Sequence, residues 1–228
     1  MNIWNDIDTK KFWKMANLGH EYLWACNGVA KTNLISILKD YNINSDELFC
    51  SDETTHDANI RLHHGVSSIL EKLEGKGKYE LFLWIIEDWG GIRRGNPQTV
   101  TSWLKSFPSF EEKEISNFIK AQGTTRISSW SKILSFISPK KYAIYDSRTA
   151  FSANFVLNKM GDKRRFFTPL GRNRHIAPML GGLARDDKNY IGYLEYLELL
   201  KTFPSSKNIL IEAEMILFSN APYLAGKL

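Results

Sequence analysis

The chain has 228 residues, 43% of them apolar and 13% aromatic, with a formal net charge of +5. That composition is ordinary for a globular protein and supplies a substantial core for one large domain or two small lobes. No apolar run approaches the roughly 20 residues that a membrane-spanning helix needs, so no membrane association is expected.

Met1 to Gly19 contains no apolar h-region, so no secretory signal is expected and the protein is placed in the cytoplasm. The two cysteines, Cys26 and Cys50, form no CxxC motif and read as free thiols in a reducing compartment. His56, His63 and His64 lie close together, but no spaced cysteine or acid completes a metal motif. No metal and no cofactor are expected.

In chain order, helical spacing of apolar residues predicts a first helix over Asp8 to Cys26, which carries Phe12, Met15, Leu18, Tyr22 and Trp24. A second runs from Asp57 to Leu73. A third covers Tyr79 to Trp89 and ends at Gly90-Gly91, as helices commonly end at glycine. A short helix follows over Thr99 to Phe107, before Pro108. Ser109 to Gln122 is a strong candidate, because Ser109 precedes Glu112 at capping-box spacing and Gly123 follows its end. The turn Gly123-Thr124-Thr125-Arg126 leads to a helix over about Ile127 to Ile137, with Trp130, Ile133 and Leu134 on one face. Pro139 stops it. A further helix restarts at Ser147 and continues to Leu157. A Gly/Arg-rich loop spans Gly161 to Asp187, and helices over Asn189 to Thr202 and Ser206 to Ala221 complete the set. Alternating strand patterns and internal repeats are missing, so the fold class is all-α.

Asp146 stands where the chain enters the helix that begins at Ser147. Aspartate is among the favoured N-cap residues, and a purely structural cap is the first reading. A carboxylate at a helix start also faces backbone N–H groups and the positive end of the helix dipole. Such a group can serve as a base, or as an electrostatic stabiliser of a developing cation.

The positive charge is clustered. Lys163, Arg164, Arg165, Arg172, Arg174 and His175 fall within 13 positions, interleaved with Phe166 and Phe167. Arg93 and Arg94 form a second basic point, and Lys140 and Lys141 a third. Basic side chains beside aromatics suit a phosphate backbone with bases that can stack. A solvated basic loop is the alternative.

The succession of a helix ending at Gln122, the turn Gly123 to Arg126, a second helix and then Asp146 at the start of a third resembles the helix-hairpin-helix DNA glycosylase superfamily, in particular its 8-oxoguanine-glycosylase-like branch. The resemblance covers Gly123 to Asn154. It implies a multi-helix fold with a cleft between two helical lobes, in one helical domain over residues 1–228, with the hairpin and catalytic segment at about 109–157. It also implies that hairpin N–H groups hold a DNA phosphate and that Asp146 drives base excision. Family hairpins usually carry two glycines; here only Gly123 remains. Bifunctional members carry a lysine at the start of the second helix. The matching position here is Ile127, 19 positions before Asp146, and Lys132 is a poor substitute. The resemblance therefore implies a monofunctional enzyme that uses water, acting as a monomer without an iron–sulfur cluster.

In that reading Asp146 is the catalytic residue, and Gly123, Thr124, Thr125, Arg126, Arg148, Arg93 and Arg94 contact DNA. The flipped base meets Trp89, Tyr142, Tyr145, Phe166, Arg172, Asn173 and Arg174, the last three lying in a donor-rich loop that suits a base with polar substituents. Trp130 and Phe167 are further aromatics that could stack, although Trp130 also lies on an apolar helix face. Some bacterial relatives act against phages with hypermodified cytosines, so a glucosylated or otherwise modified pyrimidine is the expected target, pointing to antiviral defence. Two other readings stay open: a non-catalytic helix-hairpin-helix DNA-binding module, and a helical protein-interaction domain in which Asp146 is only a cap.

Overall fold

The computed structural model describes residues 3–22, 26–50, 54–92, 97–106, 109–169, 190–204 and 210–227. Among them are ten α-helices: α1 (Thr9–Ala16), α2 (Gly28–Asp40), α3 (Thr55–Lys72), α4 (Gly75–Trp84), α5 (Pro97–Ser106), α6 (Glu112–Gln122), α7 (Ile127–Ile137), α8 (Ser147–Lys159), α9 (Tyr193–Lys201) and α10 (Leu210–Ala225). The chain is mostly helical, as its apolar spacing requires. Two residues of β1 (Arg165–Phe166) pair in parallel with two of β2 (Tyr190–Ile191), a pairing that the absence of alternating patterns did not anticipate. No described helix is long and apolar enough to cross a membrane.

The described residues divide into two compact units. One draws on 1–23, 123–128 and 140–228; the other on 24–122 and 129–139.

In the first unit α10 is the central element. It is buried without interruption from Leu210 to Ala221, taking Glu212, Glu214, Ser219 and Asn220 into the interior along with its apolar residues. The Ser152 hydroxyl of α8 donates to the Leu217 carbonyl at 2.6 Å, so the two helices approach closely. Helix α10 runs past its expected end at Ala221, through Pro222, to Ala225. Proline removes only one donor from the ladder, and burial of Leu224 and Ala225 favours the last turn. Helix α1 is much shorter than Asp8 to Cys26. Its chain leaves at Asn17, whose side chain accepts from the Gly19 N–H at 3.0 Å, and Gly19 takes the left-handed φ of +74°.

In the second unit α2 was not anticipated. Its signals are Asn27, whose side chain caps the helix by accepting from the Ala30 N–H, and the buried series Ala30, Leu34, Leu38. The Trp84 indole donates to the Ala30 carbonyl at 2.7 Å and joins α4 to α2. Helix α6 begins at Glu112 rather than Ser109. The Ser109 N–H and hydroxyl both donate to the Glu114 carboxylate, in place of the expected capping box with Glu112.

Helix α4 continues into a π-turn, Ile85–Trp89. Of the two glycines that follow, Gly91 has the left-handed φ of +65°. Gly90 has an ordinary φ of −78° and is glycine for want of space. A Cβ there would lie 2.6 Å from the Ile85 carbonyl oxygen, 2.7 Å from that of Ile86 and 2.9 Å from Lys132 Cδ. Two of these neighbours are backbone atoms that cannot step aside. Gly90→Ala is expected to destabilise the fold by about 2 kcal/mol, read as a lowered urea midpoint at unchanged slope.

Candidate functional site

Asp146 is the N-cap of α8. It is reached through Tyr142–Tyr145, a link without regular secondary structure. One carboxylate oxygen, Oδ1, accepts the backbone N–H of Arg148 at 2.8 Å and that of Thr149 at 3.1 Å. The Thr149 hydroxyl in return accepts the Asp146 N–H at 2.9 Å, which completes a capping box. The residue is half-buried. Its other oxygen, Oδ2, accepts no hydrogen bond among the described residues. The carboxylate is therefore fixed by one oxygen and keeps acceptor capacity on the other.

Arg148 follows in the first turn of α8. Its guanidinium lies over the Phe218 ring, 4.4 Å from the centroid, and makes no ion pair with a described residue. Burial pulls its pKa below the usual arginine value, and the charge of Asp146 opposes that shift. It remains a cation with donors to spare.

The turn between α6 and α7 has its expected bounds. Gly123, Thr124, Thr125 and Arg126 are all exposed. Gly123 has a φ of +54°, and Arg126 a φ of +53°, a left-handed conformation that costs a non-glycine residue about 1 kcal/mol. Ile127 is buried. Lys132 is buried as well, in α7.

The expected base-pocket aromatics are corrected. Tyr145 and Phe166 are 1% and 0% exposed, which leaves no face for a base. The Tyr145 hydroxyl donates to the Phe167 carbonyl, and its ring packs against Tyr196 at 4.9 Å. Phe166 lies against Trp4 and Tyr196, with its N–H donated to Asn154 of α8. Tyr142 is likewise buried. Trp89 is a core residue of the second unit: it meets Phe136 edge-on at 4.6 Å and His63 at 5.2 Å, because the π-turn carries it inward. Trp130 is fully buried, while Phe167 is only partly so. Arg93, Arg94, Arg172, Asn173 and Arg174 lie outside the described residues.

Sequence reasoning missed Tyr193 and Tyr196 of α9. Their hydroxyls donate to the Ala143 and Ile144 carbonyls, at 2.7 and 2.9 Å. Their three-residue spacing places both on one helix face, which was a legible signal; the carbonyls they serve were not.

Both cysteines are free. Among the described residues no group of three or more His, Cys, Asp and Glu side chains is disposed to hold a metal ion. No protein-family model, no curated protein and no solved structure matches this chain.

Proposed function

We propose that this chain is a monofunctional DNA glycosylase that hydrolyses the N-glycosidic bond of a flipped, modified base and leaves an abasic site. The observation that carries the reading is Asp146: its Oδ1 is tied to the first turn of α8, and its Oδ2 accepts no hydrogen bond among the described residues. Loss of the base puts positive charge on the sugar. A carboxylate beneath the ring stabilises that charge and orients the attacking water. Fixing the carboxylate in advance avoids reorganisation at the moment of reaction.

The exposed turn Gly123 to Arg126 supplies N–H groups and a cation for the DNA backbone. Arg148, two positions from the carboxylate, supplies a second cation for a phosphate beside the target nucleotide. Arg148→Ala is expected to weaken DNA binding and to flatten the salt dependence of log K by about one unit. An unchanged slope in a fluorescence anisotropy titration would remove Arg148 from the interface. Ile127 offers no amine at the start of α7, so water is the nucleophile and strand cleavage does not follow.

The target is a modified pyrimidine, with a glucosylated cytosine of phage DNA as the leading case. The test incubates the protein with matched duplexes carrying normal, oxidised or glucosylated cytosine, then probes for abasic sites. Excision from the glucosylated duplex supports the assignment; no abasic sites on that duplex defeats the glucosylated target, and none on any duplex defeats the enzymatic reading. One observation favours a second reading. The capping box at Asp146 is complete, as it would be in a helical domain where the residue only caps α8.

A further inference from the structure

The link from Tyr142 to Tyr145 carries Asp146, yet it has no ladder of its own to satisfy its backbone. Ala143 and Ile144 are fully buried, so their carbonyls need partners that water does not provide. Each receives one phenol from α9: Tyr193 donates to Ala143 at 2.7 Å and Tyr196 to Ile144 at 2.9 Å. Both phenols are buried, and burial lifts their pKa values well above the usual tyrosine value. They therefore stay protonated, as permanent donors.

Tyr196 serves the carbonyl nearer to Asp146, that of Ile144. The cap is held separately: the Thr149 hydroxyl accepts the Asp146 N–H and donates to the Asp146 carbonyl. The capping bonds alone fix the carboxylate relative to α8. The two phenols fix the incoming strand, which sets the remaining freedom of the residue between them.

We propose that Tyr196, with Tyr193 beside it, is the positioning residue for Asp146: the phenol holds the entering backbone so that Oδ2 keeps one direction. The proposal rests on the glycosylase reading for its catalytic consequence, but not for its structural one. Tyr→Phe keeps the ring and its packing and removes only the donor.

The experiment measures single-turnover excision, DNA affinity and the hydrogen exchange of the Arg148 and Thr149 amides, whose protons go to Asp146. In Tyr196→Phe the rate constant is expected to fall about tenfold or more while affinity stays within about twofold, since misplacement of a catalytic group acts on the chemical step. The two amides exchange about tenfold faster, and Tyr193→Phe shows the smaller change in both, being one residue further from Asp146. Wild-type rate together with wild-type exchange in Tyr196→Phe overturns the proposal. If the wild-type protein excises nothing, the glycosylase reading has failed, and amide exchange alone decides the positioning role; unchanged exchange overturns it.

Should Tyr196→Phe fail to fold, Tyr193→Phe takes its place, removing the donor to the Ala143 carbonyl. Slower excision and faster exchange than in the wild type support the proposal, and wild-type values of both overturn it.

Discussion

An Asp146→Asn chain is expected to lose base excision while keeping its fold and its hold on DNA. The substitution isolates charge from architecture. The amide oxygen of asparagine can accept the same two N–H groups that Oδ1 accepts at 2.8 and 3.1 Å, and the Asp146 N–H still donates to Thr149. Asparagine and aspartate cap helices about equally well, so the urea midpoint should move little. What disappears is the negative charge that would face the sugar as the base departs. Removing one electrostatic stabiliser of a transition state costs about a hundredfold or more in rate. Single-turnover excision on the substrate panel measures that loss, and anisotropy confirms that binding persists. Excision at the wild-type rate would return Asp146 to the role of a plain cap.

The segment that carries this prediction was legible because its signals are local. Gly123 takes the left-handed conformation that ends α6, Pro139 follows the end of α7, and Asp146 caps α8; each boundary lies where its residue type demands. The pocket was not legible, and the reason is physical. A tyrosine in sequence carries no mark of where its hydroxyl will find a partner. Tyr145 finds the Phe167 carbonyl, and Tyr193 and Tyr196 find carbonyls some fifty positions away in the chain. Those partners turn amphipathic side chains into core, whereas the same residues with unmet hydroxyls would have faced solvent or ligand. Trp89 was misread for a related reason. The π-turn beneath it depends on Gly90 fitting against the Ile85 and Ile86 carbonyls, and no periodicity records that fit. The short helix α1 shows a third kind of miss. Apolar residues continue at helical spacing past Ala16, but the Asn17 side chain offers the backbone a competing turn.

Acid is expected to destabilise the second unit through His63. This side chain, on α3, is 2% exposed and stacks on Phe136 at 3.9 Å, with Trp89 edge-on at 5.2 Å. Its Nδ1 pairs with the Asn59 carbonyl at 2.8 Å and so carries the proton of the neutral ring. Its Nε2 has no hydrogen-bond partner among the described residues. Protonation would place a second N–H against rings that cannot accept it, in a site closed to water. Burial accordingly lowers the pKa from 6.5 to about 4, helped by His64 and opposed by the Asn59 bond. The folded pKa lies below the unfolded one, so this contribution is fully present above pH 6.5. As the pH falls below 6.5, the unfolded chain takes up a proton that the folded chain refuses, and stability declines until about pH 4, where the folded ring also titrates. The total loss across that window is about 3 kcal/mol. Carboxylates titrate over part of the same range, so the informative quantity is a difference. His63→Phe keeps a flat ring on Phe136 and has nothing to protonate. The wild-type urea midpoint minus that of His63→Phe should fall as the pH drops from 6.5 to 4, whatever its sign at neutral pH. Parallel pH profiles would mean that water or a moving neighbour reaches Nε2, and that the ring is not sealed in the folded state.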